Sequence, residues 1–364
     1  MKKRVLSLLL AMSMVVGLSA CSGGTTKEET KEKTTKEETK KEVPETDTIH
    51  WARANSGNIF VTLASSLGYF DEVGLTVIED PVDSSTAAMT ALSSGQVDVT
   101  SNQGSNMPLQ NIASGQDFTI IGGYMMQGMY LVARKGTGWN GIEDLVGKKV
   151  AGLPNDTAYT GPFLASGHDP LTEIDWVECD TNSDRLAAVI SGKADYANCS
   201  GDLHYTVDNN PDVEIVCYLD ELSPSYGCCR MQMRTDFIEK NPTTVKLMLE
   251  CLIRAEDYYR NNIDECVKIL AKEIDADEDY VAAYLKNEHY VLSIDPVKNS
   301  VLKTWQTLLD TGFLDKEELA DFDIESHINT DLYEEALNAV IEEHYDEDPE
   351  FYDERLAFFK EYNK

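Results

Sequence analysis

The sequence is poor in the features that mark catalysis. It has no Gly-x-Ser-x-Gly turn for an acyl-transfer serine and no phosphate-binding Gly-x-x-x-x-Gly-Lys loop. No dinucleotide-binding glycine loop is read in it either. Histidine is scarce: His50, His168, His204, His289, His327 and His344 are scattered, without a partner at metal-ligand spacing. His204, near Cys199 and Asp202, is the best nucleophile–base candidate, and a weak one. No Cys-x-x-Cys pair supports a structural zinc. No catalytic residue, metal or cofactor is therefore expected. Basic charge is also short, with 31 Lys and Arg against 64 Asp and Glu and a net charge of −33. Phosphates would be repelled, which excludes a nucleic-acid partner. The acid is dense from Asp310 to Glu361 and reads as solvated helix faces.

What is present begins at the N-terminus. Met1-Lys2-Lys3-Arg4 is a short basic segment, and Val5 to Val16 is an apolar run too short to span a bilayer. Leu18-Ser19-Ala20-Cys21 looks like a bacterial lipobox, so residues 1–21 read as a lipoprotein signal, with Cys21 as the site of lipid attachment. Residues 22–47 are almost wholly Lys, Glu and Thr; they cannot bury a core and read as a disordered tether. The expected location is the outer face of the cell membrane, held by lipid. Seven cysteines remain, Cys179, Cys199, Cys217, Cys228, Cys229, Cys251 and Cys266, an odd number that leaves at least one thiol unpaired in a monomer. Adjacent Cys228 and Cys229 read as small buried hydrophobes.

The body of the chain holds a repeat. Residues 48–53 read as a strand, followed by a helix with Phe60, Leu63, Ala64 and Leu67 on one face and Gly68 at its end. A strand over 75–79, a helix over 86–94 closed by Gly95, and a strand over 97–100 follow. The same order recurs over 148–152, 157–166, 174–178, 183–191 and 194–197. Ser94-Gly95-Gln96-Val97-Asp98 lies opposite Ser191-Gly192-Lys193-Ala194-Asp195, an offset of 97 residues. Strands and helices that alternate through short loops predict two α/β lobes built on parallel sheets. Beyond Asn241-Pro242 the pattern turns helical. Helices over 263–273, 277–287, 296–310, 331–343 and 349–362 read as a coat on the first lobe.

Ligands of open α/β sheets bind beyond the carboxyl ends of the strands. The loops there are short and polar: Asn55, Ser56 and Asn58; Ser84, Ser85 and Thr86; Ser101, Asn102 and Gln103; Asn155 and Thr157; Ser200 and Asp202. Asn58, Ser84 or Ser85, Asp156 and Ser183 also sit where helices start, so each competes between capping and ligand contact. Trp51, Tyr124, Tyr159 and Tyr226 are near enough in sequence to stack on a solute. The ligand-binding expectation comprises those thirteen loop residues together with Tyr124, Tyr159 and Tyr226.

Four segments then resemble a known family. Gly68-Tyr69-Phe70-Asp71-Glu72-Val73-Gly74-Leu75-Thr76-Val77, Ser94 to Asp98, Ile142 to Val150 and Ser191 to Asp195 are similar to signatures of the sulfonate/nitrate/taurine and thiamine-pyrimidine (SsuA/THI5-like) ABC-transporter solute-binding proteins. The resemblance implies a type II periplasmic-binding-protein fold. Two lobes joined by two crossover strands, near Tyr130 to Arg134 and Tyr226 to Met231, would close on a solute. Lobe one would be 48–132 plus 228–364, and lobe two 133–227. The implied partners are a small-molecule solute, an ABC permease and ATPase, and the membrane through the lipid; a monomer is expected. The other function considered is an enzyme of thiamine-pyrimidine type on the same fold, which would need a His- and Cys-rich motif. The chain departs from the family pattern at Asn198-Cys199-Ser200-Gly201-Asp202, where an acidic-Pro pair is common. Its six loops carry Asp80, Asp83, Asp156, Asp180 and Asp202 but no Lys or Arg. That predicts an acidic cleft, better suited to a neutral or cationic organic solute than to an anion.

Overall fold

The computed structural model describes residues 42–54, 57–179, 181–224 and 226–364. The signal, Cys21 and the tether up to residue 41, like Asn55, Ser56, Asp180 and Ser225, lie outside the described residues.

Ten strands form two five-stranded sheets. They are β1 (Thr48–Arg53), β2 (Thr76–Pro81), β3 (Val99–Thr100), β4 (Phe118–Gly123), β5 (Met129–Arg134), β6 (Lys149–Gly152), β7 (Asp175–Glu178), β8 (Tyr196–Ser200), β9 (Val213–Tyr218) and β10 (Arg230–Arg234). The orders are β2-β1-β3-β10-β4 and β7-β6-β8-β5-β9. In each sheet three parallel strands are followed by one antiparallel strand. That fourth strand arrives from the other half of the molecule: β10 returns from the second sheet, and β5 comes directly from the first. Both carry a register shift, at Met231/Gln232 and Leu131/Val132. The second sheet takes Met129 to Arg134 whole. Residues 129–132, assigned to the first lobe from the sequence, therefore pair in the second sheet.

The shared text has a shared job. Gly95 and Gly192 both adopt left-handed φ, at 76° and 74°, and end their helices. Three residues on, the aspartates fold back onto the first strand of their own sheet. Asp98 accepts from the His50 amide at 2.9 Å, and Asp195 from the Lys149 amide at 3.0 Å. The next strand is thus pinned in register by a carboxylate on a backbone donor. The antiparallel strands end alike as well, with Arg234 against Gly95 and Arg134 against Gly192.

Each sheet buries both faces, giving separate apolar clusters on its two sides. The largest gathers Trp51, Phe60, Met231, Leu249 and Phe359 under the helices Pro242–Asn261, Asp331–His344 and Pro349–Asn363. The C-terminal helices do more than coat the first sheet. Asn287 donates to His204 Nε2 at 2.7 Å, and His289 Nδ1 meets Asp220 at 2.9 Å, both on the second-sheet side. Thr307 packs against Gly161.

The two sheets are joined by a three-ply hinge. In its middle runs residues 123–127. On one side Cys229 N donates to Met125 O at 2.8 Å and Cys228 N to Met126 O at 3.2 Å. On the other, Gly123 N donates to Ile294 O and Met126 N to Val291 O, both at 2.7 Å, and Met125 bridges Leu292. Buried Arg230 ties all three plies. It donates to Met125 O at 2.9 Å and Asp295 O at 2.7 Å from the end of the second crossover.

Candidate functional site

Where the carboxyl ends of the two sets of parallel strands meet, they enclose a cavity of about 350 Å³. That is large enough for a small solute. The first sheet contributes Ser84, Ser85, Thr86, Asn102 and Gln103; the second contributes Asp156, Thr157, Asn198, Ser200 and Asp202. The hinge supplies Tyr124, Met125, Met129, Tyr226, Cys228 and Cys229. Asn106 Nδ2 donates across the gap to Asn155 O at 3.1 Å.

Ten of the expected residues line this cavity: Ser84, Ser85, Thr86, Asn102, Gln103, Tyr124, Thr157, Ser200, Asp202 and Tyr226. Four do not. Asn58 caps the helix Ile59–Ser66, accepting from Phe60 N at 3.1 Å, and donates to Ser101 Oγ at 3.0 Å. Ser101 is fully buried, taking bonds from Asn58 and Trp51 and donating to Asn102. Their polar atoms hold loops to one another. Asn155 is buried and meets the opposite half through its carbonyl. Tyr159 belongs to the core of the second sheet, beside Phe163 and Trp176.

Caps divide as the physics of helix ends requires. Ser84 accepts from Ala87 N, and Thr181, rather than Ser183, accepts from Asp184 N. Asp156 makes no cap bond to its helix. Its Oδ2 instead accepts from Leu153 N, from Asn198 Nδ2 at 2.9 Å and from Arg185 at 3.3 Å.

Arg185 corrects the expectation of a cleft without basic residues. It lies inside the helix Asn182–Ile190, outside the loops, yet lines the cavity. It is 6 % exposed and also donates to the carbonyls of Cys179 and Asn198. Asp80 faces elsewhere, bonded to His50 at 2.7 Å. Asp202 accepts from Ser200 and from Asn182, and desolvation pushes its carboxyl above the usual range. Sequence reasoning missed Tyr290, Leu153, Leu219 and Arg185 on the wall. Tyr290 comes from the strap after the helix Glu278–Leu285, and only tertiary structure brings it there.

The nucleophile–base candidate dissolves. Both nitrogens of His204 are engaged, by Asp208 at 2.9 Å and Tyr218 at 2.8 Å. Cys199 is fully buried and its thiol is pushed up to about 12 by desolvation. Gly136-Thr137-Gly138-Trp139-Asn140-Gly141 does carry the Gly-x-Gly-x-x-Gly spacing that the sequence reading passed over. It leads into a single 3-10 turn at Ile142–Leu145, without the α-helix that phosphate binding needs. Among the described residues no group of three or more His, Cys, Asp or Glu is placed to hold a metal ion, and no helix is long and apolar enough to cross a membrane.

A family model described as NMT1/THI5 like matches residues 55–266. The chain belongs to this family. Solved structures share the fold of this NMT1/THI5-like chain. The periplasmic aliphatic sulphonate binding protein SsuA from Escherichia coli aligns at TM-score 0.64 and 18% identity, over 78% of this chain and 92% of its own. The periplasmic nitrate-binding protein NrtA from Synechocystis PCC 6803 aligns at TM-score 0.68 and 15% identity, over 82% and 90%. The alkanesulfonate-binding protein SsuA from Xanthomonas axonopodis pv. citri, bound to MOPS, aligns at TM-score 0.64 and 15% identity, over 79% and 99%. The architecture is that of the periplasmic binding proteins. No curated protein matches the chain.

Proposed function

We propose that this chain is the extracytoplasmic solute-binding component of an ABC importer, which captures a small polar organic solute in the cavity and delivers it to a permease and its ATPase. The observation that carries the reading is a solute-sized cavity walled by both halves of a repeat and floored by the segments that join them. In this reading the first sheet with the C-terminal helices is one lobe and the second sheet is the other. A solute that touches both lobes shifts the population toward the closed form. Cys21 carries the lipid, and the tether of 22–47 is shorter than expected from the sequence, because Glu45 already accepts from the Thr243 and Thr244 amides at 3.1 and 2.8 Å and Lys246 donates to Glu42 at 2.7 Å; the protein works as a monomer. Family membership and the shared fold support this reading over catalysis, and the engagement of His204 and the burial of Cys199 speak against the one nucleophile–base pair considered.

A thermal-shift screen of amines, pyrimidines, taurine, alkanesulfonates and nitrate tests it. A true solute at about 100 times its Kd adds roughly 2.7 kcal/mol of stability. The reading falls if no small molecule stabilises the purified protein and the protein instead turns over a substrate.

A further inference from the structure

We infer that the cleft is built for an organic cation, its charged nitrogen set against Asp202 and Asn198 and its carbon frame laid against Tyr124, Tyr226 and Tyr290. This deepens the solute-binding proposal and rests on it.

The charges of the cavity wall decide the sign. Its ionisable acids and bases are Asp83, Asp156, Asp202 and Arg185. Asp83 is exposed at the rim, where water screens it. Asp156 and Arg185 are bonded to each other, and Arg185 spends further donors on two carbonyls. Asp202 is left. It is half-buried, and among the described residues no basic side chain pairs with it. A carboxylate partly removed from water and not compensated by a cation is costly, and a ligand that brings the missing charge recovers that cost. An anion in the same space meets repulsion instead.

A second acceptor lies on β8, just before the turn that carries Asp202. Asn198 is 1 % exposed and lines the cavity. Its Nδ2 is committed to the Asp156 carboxylate, which fixes the amide orientation and leaves Oδ1 buried without a donor. A protonated amine brings the donor that Asn198 Oδ1 lacks and the positive charge that the neutral donors Ser200 and Asn182 do not give Asp202.

The aromatic wall completes the match. Tyr290 rests against Gly201, next to Asp202; a Cβ at Gly201 would lie 2.6 Å from the ring. The hydroxyls of Tyr124 and Tyr290 bond to each other, and Tyr226 Oη accepts from Met129 N at 3.0 Å. Aromatic faces attract cations, more strongly once water is excluded. Of the helix N-termini at the cavity, which hold anions elsewhere, those at Ser85 and Asn182 are capped by Ser84 and Thr181. The ends at Thr157 and Asn106 have no side-chain cap, so an anion remains a distinct outcome to measure.

Isothermal titration of the purified mature chain with choline, tyramine and putrescine tests the inference, with methanesulfonate, nitrate and uracil as the anionic and neutral arms. The expected result is that at least one cation binds, and that Asp202→Asn weakens it tenfold or more. Tyr290→Leu should weaken the same cation by a similar factor, which keeps the test valid if the Asp202 variant folds poorly. Binding of an anion or of uracil, with all three amines silent, overturns the inference and leaves the solute-binding proposal standing. A cation whose affinity is unchanged in both variants also overturns it. Silence from every arm overturns the inference and counts against the solute-binding proposal itself.

Discussion

Gly201 shows how a single missing carbon shapes the cavity wall. Its own backbone is unstrained, and the demand for glycine is purely steric, because Tyr290 occupies the space of a side chain. Gly201→Ala must push the ring away. The expected cost is about 1–3 kcal/mol, read as a fall in Tm, with weaker binding of whatever solute the cleft takes. An unchanged Tm and affinity would show that Tyr290 yields freely. Such residue-scale facts were partly legible in the sequence. Short polar residues after parallel strands pointed to the cavity, and most of them reach it. The rest failed for a stated reason: Asn58 and Ser101 satisfy each other and a helix end, because orphan amides nearby outcompete a ligand for their oxygens. Tyr290 had no sequence signal, since the strap that carries it is distant from the loops it joins.

At the scale of elements, the repeat was readable because its helices end in left-handed glycines and its strands begin after an aspartate. Those are local requirements with residue-specific solutions. What escaped notice had no such punctuation. β4 is buried at all six positions and shows no alternation. The helix Asn106–Ala113 opens with Asn106 and Pro108 after a polar run, which reads as loop. The repeat itself invites a paired test. Asp98→Ala and Asp195→Ala each free one strand amide, so each should cost about 1–2 kcal/mol by denaturant unfolding. Asp98 should cost more, because it also pairs with Arg234 at 3.6 Å. Equal null effects would mean the matching text is chance.

The whole molecule turns on the hinge, and its strap carries a buried acid. Asp295 is fully buried; Oδ1 accepts from Val297 N and Asn363, while Oδ2 has no partner. Desolvation raises its pKa from 3.8 to about 6. The folded state therefore prefers the protonated form. The stability this gives is present below about pH 4 and is lost as pH rises through 6. Asp257 behaves alike, pushed to about 6, and Glu79 to about 7, both mainly by desolvation. Asp295→Asn removes one share of the effect. Thermal melts between pH 4 and 7 should show a shallower decline than the parent chain, by an amount on the order of 3 kcal/mol or less. An unaltered slope would mean that Asp295 does not titrate in that window.

The exchange of antiparallel strands also sets an order of assembly. All five strands of the second sheet lie in one unbroken stretch, from Met129 to Tyr218. The first sheet is divided: β3 and β4 flank a slot that only β10 can fill. A chain emerging N-terminus first can complete its second sheet while the first still has an open gap. Until residue 234 has emerged, Val99–Thr100 and Phe118–Gly123 present unpaired edges. Bare edges of this kind recruit other strands. For this protein the hazardous moment in its biogenesis is the wait for β10, and a protective partner would be needed at that interval above all others.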